Sequence, residues 1–193
     1  MISAIILAAG ASTRLGQPKQ LLDIDGRPLL QHVVDAAANA AVDEIVVVLG
    51  HESDRIAEAL RLPSTARVVV NPDYMRGQST SLLLGLRSLD PLSDAAVLLL
   101  GDQPRLPATA IDAVIDAFLK GGSPIVRAIW DGTPGHPVVV ARAEWAGFEA
   151  LTGDTGARDV LRDSPRVAKV AMEGPPVDDV DTWEQYEKVR DRH

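Results

Sequence analysis

The sequence of 193 residues contains no cysteine, which excludes disulfide bonds and thiolate metal sites. It also lacks long apolar runs: the run over residues 95–100 is far shorter than the roughly 20 residues that a membrane-spanning helix needs. No basic residue precedes the first apolar segment, so this segment is predicted to be a strand and not a signal peptide. These absences favour a cytoplasmic protein that does not act in a membrane.

Positive charge is in short supply, with 19 basic against 27 acidic residues and a formal net charge of -8. This balance argues against a nucleic acid or an anionic membrane as the main partner. The content of 46% hydrophobic and 24% charged residues is that of an ordinary globular protein, and the length predicts one domain over residues 1–193. Acidic residues are nevertheless absent before Asp23, whereas Arg14 and Lys19 lie within that stretch. A basic, acid-free segment in an acidic protein predicts the place of an anionic substrate.

That segment, residues 7–19, is a small-residue loop that follows the first predicted strand. Small side chains let backbone N–H groups approach an anion, so the loop is typical of a polyphosphate site. Two well-known glycine motifs do not match it. The dinucleotide fingerprint needs glycine where Ser12 stands, and in a P-loop lysine follows the second glycine directly, whereas Gln17 and Pro18 intervene here. An ordinary glycine-rich strand-to-helix turn is the alternative interpretation.

Apolar strand patterns alternate with helical patterns along almost the whole chain. Strands are predicted at residues 2–7, 44–49, 67–70, 95–100, 124–129, 137–141 and 166–170, and helices at residues 29–41, 53–60, 79–89, 108–119, 142–151, 155–163 and from 182 onward. Continuous apolar strands separated by helices predict an α/β protein: a single Rossmann-like domain with a mostly parallel central sheet flanked by helices.

In such open sheets ligands bind beyond the carboxyl ends of the strands, and polar residues are found there. Asp102 follows the strand at 95–100, and a carboxylate there could hold Mg²⁺, which completes its coordination with phosphates and water. A helix N-cap or a turn aspartate is the alternative. Asn71, Gln78, Ser79 and Ser81 follow the third strand and could contact a base or a sugar, although N-capping would also explain some of them.

Five motifs together resemble the molybdenum cofactor cytidylyltransferase type of NTP-transferase, a relative of the enzyme that makes molybdopterin guanine dinucleotide. The first is L-A-A-G-x-S-x-R-x-G-x-x-K, over residues 7–19. The others are G-D-Q-P at 101–104, G-H-P at 135–137, G-D-x-G-A-R at 153–158 and D-x-D-T-x-E-x-Y at 179–186. The resemblance implies a fold like that of the nucleotide-diphospho-sugar transferases. Ala9 favours the cytidylyl branch, since the guanylyl branch usually has a second glycine there.

The resemblance also implies a reaction: transfer of CMP from CTP to the phosphate of a molybdopterin-type acceptor, with Mg²⁺ as cofactor and pyrophosphate as second product. Transient contact with molybdoenzymes or their chaperones is a further expectation. The implied catalytic residues are Arg14, Lys19 and Asp102, and the metal ligands are Asp102 and Asp181, with Asp179 in the same acidic cluster and Thr182 capping the last helix. Implied nucleotide contacts are Leu7, Ala8, Ala9, Gly10, Ser12, Arg14, Gly16, Lys19, Asn71, Gly77, Gln78, Ser79, Ser81, Gly101 and Asp102. Implied acceptor contacts are Gln103, Pro104, His136, Asp154, Gly156 and Arg158.

Bland alternatives remain for single residues: Asp179 could merely solvate a turn, His136 could be a satisfied core histidine, and Asp154 could be a helix cap. For the function, the alternatives are a GTP-dependent guanylyltransferase of the same pathway and a sugar- or polyol-phosphate nucleotidyltransferase. From other classes, an NAD(P)-dependent oxidoreductase is disfavoured by Ser12, and a non-catalytic cofactor carrier is disfavoured by the presence of triphosphate and metal residues.

Overall fold

Seven strands form the central sheet of the computed structural model, which describes residues 1–151, 153 and 166–191. Two further strands make a separate two-stranded ribbon. In chain order the strands are β1 (Ile2–Leu7), β2 (Asp23–Ile24), β3 (Arg27–Pro28), β4 (Glu44–Leu49), β5 (Ala66–Val70), β6 (Ala95–Leu100), β7 (Ile125–Trp130), β8 (Thr133–Ala141) and β9 (Val167–Met172). The described α-helices are α1 (Leu29–Ala38), α2 (Ser53–Ala59), α3 (Gln78–Arg87), α4 (Ala108–Leu119) and α5 (Trp183–Arg190), and 3₁₀ helices cover Lys19–Leu21, Tyr74–Arg76 and Arg142–Phe148.

The sheet has the order β5-β4-β1-β6-β8-β7-β9, and within it β8 alone runs against its neighbours. The predicted α/β domain with a mostly parallel sheet is therefore confirmed. The strands β1, β4 and β6 are buried along their length because helices cover both faces. Residues of α1, α2 and α4 pack on one face, and α3 packs on the other together with Phe148.

Three local expectations differ from the structure. Residues 142–151 were expected to form an α-helix, but a 3₁₀ helix covers Arg142–Phe148. The strand predicted at 137–141 begins earlier, at Thr133, because a tight turn at Asp131 and Gly132 pairs Trp130 directly with Thr133. Both turn residues have positive φ, 44° and 79°, as a two-residue hairpin turn with matching twist requires. The β2–β3 ribbon was not predicted, and the helix predicted at 155–163 lies outside the described residues.

The register of the central strands brings three loops to one edge of the sheet. Leu7 of β1 lies beside Val48 of β4 and Leu100 of β6, so the chain leaves all three strands at the same level. A fourth segment joins them, since the N–H of Val180 donates to the carbonyl of Asp102 at 3.0 Å. This edge is where the sequence predicts the site.

Helix α5 fixes the fourth segment from behind. Its Tyr186 hydroxyl donates to the carbonyl of Asp23 at 2.6 Å, and Val180, Tyr186 and Val189 pack with the ribbon in a small apolar cluster. Thr182 caps the helix as predicted: its hydroxyl accepts from the N–H of Gln185, whose side chain accepts from the N–H of Thr182. None of the helices in the described ranges is both long and apolar enough to cross a membrane.

Candidate active site

The loop after β1 is held open by side-chain to backbone hydrogen bonds. The buried amide of Gln20 donates to the carbonyls of Ala8 and Gly10, at 2.7 and 3.2 Å. Ser12 adopts a positive φ of 52°, and its hydroxyl accepts from the N–H of Lys19 at 3.0 Å. Ser12 therefore helps to fix the conformation of the loop to which it belongs. Gln20 was not predicted as a site residue. The signal in the sequence that could have pointed to it is a glutamine directly after the small-residue loop, where its amide can donate to the loop's carbonyls.

A cavity of about 280 Å³ opens between this loop and the loops after β5 and β6. It contains ten of the fifteen predicted nucleotide contacts, and Gln20, Tyr74, Met75 and Leu100 were not foreseen as lining residues. The predicted residues that line it are Leu7, Ala8, Ala9, Gly10, Lys19, Gly77, Gln78, Ser81, Gly101 and Asp102. The sequence did hold a signal for Tyr74 and Met75, because both lie between Asn71 and Gly77, which are predicted nucleotide contacts.

A second cavity of about 340 Å³ lies on the other side of Lys19 and is lined by Gly10, Ser12, Thr13, Arg14, Lys19 and Asp181. Arg14 is exposed and has no ion pair within the part of the chain that the structure describes. Its charge is thus free to meet a ligand. Gly10 and Lys19 border both cavities, so a ligand that fills the two would pass the Lys19 ammonium group.

The Lys19 ammonium group joins the two predicted metal ligands. Its Nζ lies 2.7 Å from Oδ2 of Asp102 and 2.6 Å from Oδ1 of Asp181. Burial alone would lower the pKa of Lys19, but the charges and hydrogen bonds of the two carboxylates outweigh burial and raise it. Lys19 is therefore positively charged at neutral pH. The three side chains lie together, as the sequence predicts.

The donor set suits a hard cation. Magnesium is usually held by one or two carboxylates and completes its coordination with phosphates and water. Asp102 and Asp181 supply two carboxylates, and Oδ1 of Asp102 is buried and has no hydrogen-bond partner among the described residues, so that it could serve as a ligand atom. Among the described residues no group of three or more His, Asp or Glu side chains is arranged to hold a metal. A metal here would need oxygen ligands from the substrate.

Asp179 is exposed as a whole residue, but its carboxylate is partly shielded by neighbouring side chains. Its Oδ1 accepts from the Gln103 amide at 2.7 Å, and burial raises the pKa of Asp179, with the negative charge of Asp102 acting in the same direction. Gln103 and Pro104 are both buried. They were expected to contact the acceptor, but in the structure Gln103 supports the acidic segment from beneath. Their contact with an acceptor is a prediction without support from their placement.

The side chains of two predicted nucleotide contacts form hydrogen bonds within the protein. The Asn71 amide nitrogen donates to the hydroxyls of Thr80 and Ser81, at 2.8 and 2.9 Å, and its oxygen accepts from the N–H of Asp73. Ser79 is buried, and its hydroxyl donates to the carbonyl of Gly153 at 2.8 Å. Neither residue lines the two cavities. Both residues position the loop, and sequence alone could not separate that role from ligand contact.

The remaining predicted residues either do not line the two cavities or lie outside the described residues. Gly16 adopts a φ of 69° in the turn before Lys19 and does not line either cavity. His136 lies within β8, not before a strand, and burial lowers its pKa to about 4, with the positive charge of Arg127 acting in the same direction. His136 is therefore neutral at neutral pH. Asp154, Gly156 and Arg158 lie outside the described residues.

Comparison with known proteins decides the family. The MobA-like NTP transferase domain matches residues 4–169, which is most of the chain. The chain belongs to this family. As a member of the MobA-like family it is a nucleotidyltransferase, in agreement with the predicted enzyme class.

Relatives of this MobA-like protein carry different functional names. Over 97% of the chain and 96% of the relative it is 31% identical to the nicotine blue oxidoreductase of Paenarthrobacter nicotinovorans. It is also 30% identical, over 84% of the chain, to the bifunctional protein GlmU of Sorangium cellulosum, of which it spans about a third (32%).

Solved structures of similar proteins agree with the fold over its whole length. Rv0371c from Mycobacterium tuberculosis H37Rv superposes with a TM-score of 0.88 at 29% identity, covering 99% of this chain and 97% of Rv0371c. A complex of Rv0371c with manganese gives a TM-score of 0.86 at 28% identity, covering 100% and 99% of the two chains.

Proposed function

We propose that this MobA-like protein transfers CMP from CTP to the terminal phosphate of a molybdopterin-type acceptor and releases pyrophosphate. The observation that carries the proposal is the convergence of Lys19, Asp102 and Asp181 between two adjoining cavities. A nucleoside triphosphate has an uncharged base and a polyanionic tail. The pair of cavities offers a partly apolar wall at one end and the exposed Arg14 at the other.

The reaction needs positioning and charge neutralisation more than covalent help from the protein. A phosphate oxygen of the acceptor forms a bond to the α-phosphorus while the bond from that phosphorus to the pyrophosphate oxygen breaks. Arg14 and Lys19 would stabilise the charge that gathers on the leaving pyrophosphate. Asp102 and Asp181 would hold Mg²⁺, which supplies further neutralisation of phosphate charge. The attacking phosphate monoester is already an anion near neutral pH, so a general base is not required.

The choice of CTP rests on Ala9, which lines the first cavity and matches the cytidylyl branch. GTP remains the alternative within the pathway, and a sugar- or polyol-phosphate acceptor remains the alternative outside it. Contact with molybdoenzymes or their chaperones would serve to pass on the product.

A second candidate function is favoured by one observation, the name of the oxidoreductase that is 31% identical over nearly the full length of both chains. A nicotinamide dinucleotide would have to fit the same two cavities. The loop after β1 has Ser12 where the dinucleotide fingerprint has glycine, which disfavours this candidate.

A panel of ligands separates these candidates. Melting temperatures are measured with CTP, GTP, ATP or NADPH, each with Mg²⁺. A ligand at about 100 times its Kd adds roughly 2.7 kcal/mol, which corresponds to about 5–10 °C for a chain of this size. We expect the largest increase with CTP. A larger increase with GTP would reverse the branch assignment, and an increase with NADPH alone would contradict nucleotidyl transfer.

The acceptor is tested separately, by pyrophosphate release from CTP in the presence and absence of molybdopterin. The Arg158→Ala variant is expected to bind molybdopterin more weakly and CTP–Mg²⁺ unchanged. Equal weakening of both ligands, together with a lower melting temperature, would mean that Arg158 serves the fold and not the acceptor.

A further inference from the structure

We propose that Lys19 occupies the divalent-cation position in the nucleotide-free protein, so that Lys19 and the metal compete for Asp102 and Asp181. The inference rests on the proposed function in that it assumes a metal–triphosphate site. It goes beyond that function because it assigns to Lys19 a second task, which is to keep the metal ligands paired until a triphosphate is present.

The geometry of the three side chains carries the proposal. One ammonium nitrogen contacts one oxygen of each carboxylate, at 2.7 Å for Asp102 and 2.6 Å for Asp181. The side chains of Lys19 and Asp102 are largely shielded from solvent, with exposures of 13% and 20%. A cation that used the same two oxygens would have to stand where the nitrogen stands. Two positive groups cannot share that position.

The rest of the pocket shows where Lys19 could go. Its flexible side chain also borders the second cavity, beside Ser12, Thr13 and the exposed Arg14. A triphosphate in that cavity would offer the ammonium group new anionic partners and would free both carboxylates. The buried Oδ1 of Asp102, which has no hydrogen-bond partner among the described residues, would then be available to coordinate the metal.

The physical consequence is a positive coupling between two ligands. A triphosphate that draws Lys19 away would strengthen metal binding, and by reciprocity the metal would strengthen triphosphate binding. Metal alone has to displace a largely shielded, doubly paired ammonium group, which costs free energy that the metal–carboxylate bonds must offset. The nucleotide-free protein therefore binds divalent metal weakly.

The test measures Mn²⁺ binding to the nucleotide-free protein by electron paramagnetic resonance, which reports the free ion. The Lys19→Gln variant is expected to bind Mn²⁺ about tenfold more tightly than the wild type, within the range that is common for coupled sites. Lys188→Gln is the matched control. It removes an equal charge from a lysine that pairs with Asp178, three residues from Asp181, but does not stand between the metal ligands. Its Mn²⁺ affinity should equal that of the wild type.

A second measurement uses the wild-type protein and so does not depend on the folding of a variant. Acylation rates of single lysines are followed by mass spectrometry with and without saturating Mn²⁺. We expect Mn²⁺ to raise the rate at Lys19 and to leave the exposed Lys120 unchanged. Unchanged Mn²⁺ affinity in folded Lys19→Gln, or an unchanged Lys19 rate at saturation, would overturn the proposal. Neither measurement contains CTP or a pterin, so the result is independent of the ligand panel.

Discussion

In the proposed reaction, Asp102 is the residue on which the chemistry depends most directly. One oxygen of its carboxylate pairs with Lys19, and the other is buried with no hydrogen-bond partner among the described residues. Its backbone carbonyl accepts a hydrogen bond from the N–H of Val180. The side chain can therefore be changed without breaking the contact that holds the acidic segment in place.

For Asp102→Ala we expect loss of turnover by a factor of about 10²–10³ or more, the usual effect of removing one group that stabilises transferring charge. The melting temperature should change little. Pyrophosphate release measures the activity, and Asp181→Ala should behave alike, whereas Asp179→Ala should be milder. Wild-type release from folded Asp102→Ala would remove this carboxylate from the mechanism.

The pKa of Asp179 is raised, mainly by partial burial of its carboxylate and secondly by the negative charge of Asp102. This shift predicts that the stability of the protein depends on pH. A raised carboxyl pKa means that the folded protein binds this proton more tightly than the unfolded chain does. The contribution to stability is then favourable at low pH and is lost as the pH rises through the folded pKa.

Asp179→Asn keeps an oxygen that can accept from Gln103 but carries no charge. We expect its melting temperature to exceed that of the wild type slightly at pH 8, because solvent screens the exposed Asp179, and the difference to vanish under acidic conditions. Thermal melts of both proteins across this pH range provide the measurement. A variant that is less stable at pH 8 would show that the ionised form is well solvated.

At the scale of elements, the loop from β5 to α3 is constrained by Gly153. Gly77 has a φ of 115°, and a Cβ built on it would lie 2.1 Å from the carbonyl carbon of Gly153. The N–H of Ser79 also donates to the carbonyl of Gly153, at 3.2 Å. This close backbone approach aligns one wall of the first cavity.

Gly77→Ala should therefore destabilise the protein by about 1–3 kcal/mol from backbone strain and should also weaken nucleotide binding. Chemical denaturation gives the first quantity and calorimetric titration the second. Gly147→Ala is the control, because Gly147 has ordinary φ and nothing within 4 Å of its added Cβ. Equal stability of the two variants would contradict the close approach.

At the scale of the whole molecule, the two edges of the sheet have different tasks. The site lies at the carboxyl ends of the strands, whereas Glu44 begins β4 at the opposite edge and ties several elements together. Its carboxylate accepts from the hydroxyl of Ser3 at 2.8 Å and from the N–H of Asp90 at 3.1 Å, and it pairs with Arg67. Burial by itself would raise the pKa of Glu44, but these donors outweigh it and lower the pKa.

A lowered carboxyl pKa gives stability that is present above the unfolded value of 4.5 and is lost as the pH falls toward the folded value. Glu44→Gln should therefore cost about 1.5–3 kcal/mol at pH 7, as expected for hydrogen bonds to a charged group. The difference from the wild type should shrink below pH 4.5. Urea unfolding at several pH values measures this. Nucleotide affinity should be unaffected, and a change in it would show that the two edges are coupled.

The sequence by itself determined the order of the seven strands of the central sheet and of helices α1 to α5, because apolar periodicity is a local property. It also indicated the edge of the sheet at which the site lies, since parallel strands place their carboxyl ends together. It could not assign Asn71, Ser79 and Gln103, because amide and hydroxyl side chains serve a ligand and a loop equally well. The 3₁₀ helix at Arg142–Phe148 and the early start of β8 likewise depended on packing and on a hairpin turn.

Only the tertiary structure decided how the charged groups meet. Lys19 pairs with Asp102 and Asp181, which lie 83 and 162 residues away in sequence, and Asp179 accepts a hydrogen bond from Gln103, 76 residues away. Sequence patterns show which residue types are present, but a distance between side chains follows from the packing of the elements that hold them. The pairing of Lys19 with both predicted metal ligands is therefore a property of the folded sheet edge, set by the contact of Val180 with Asp102 and by the docking of α5.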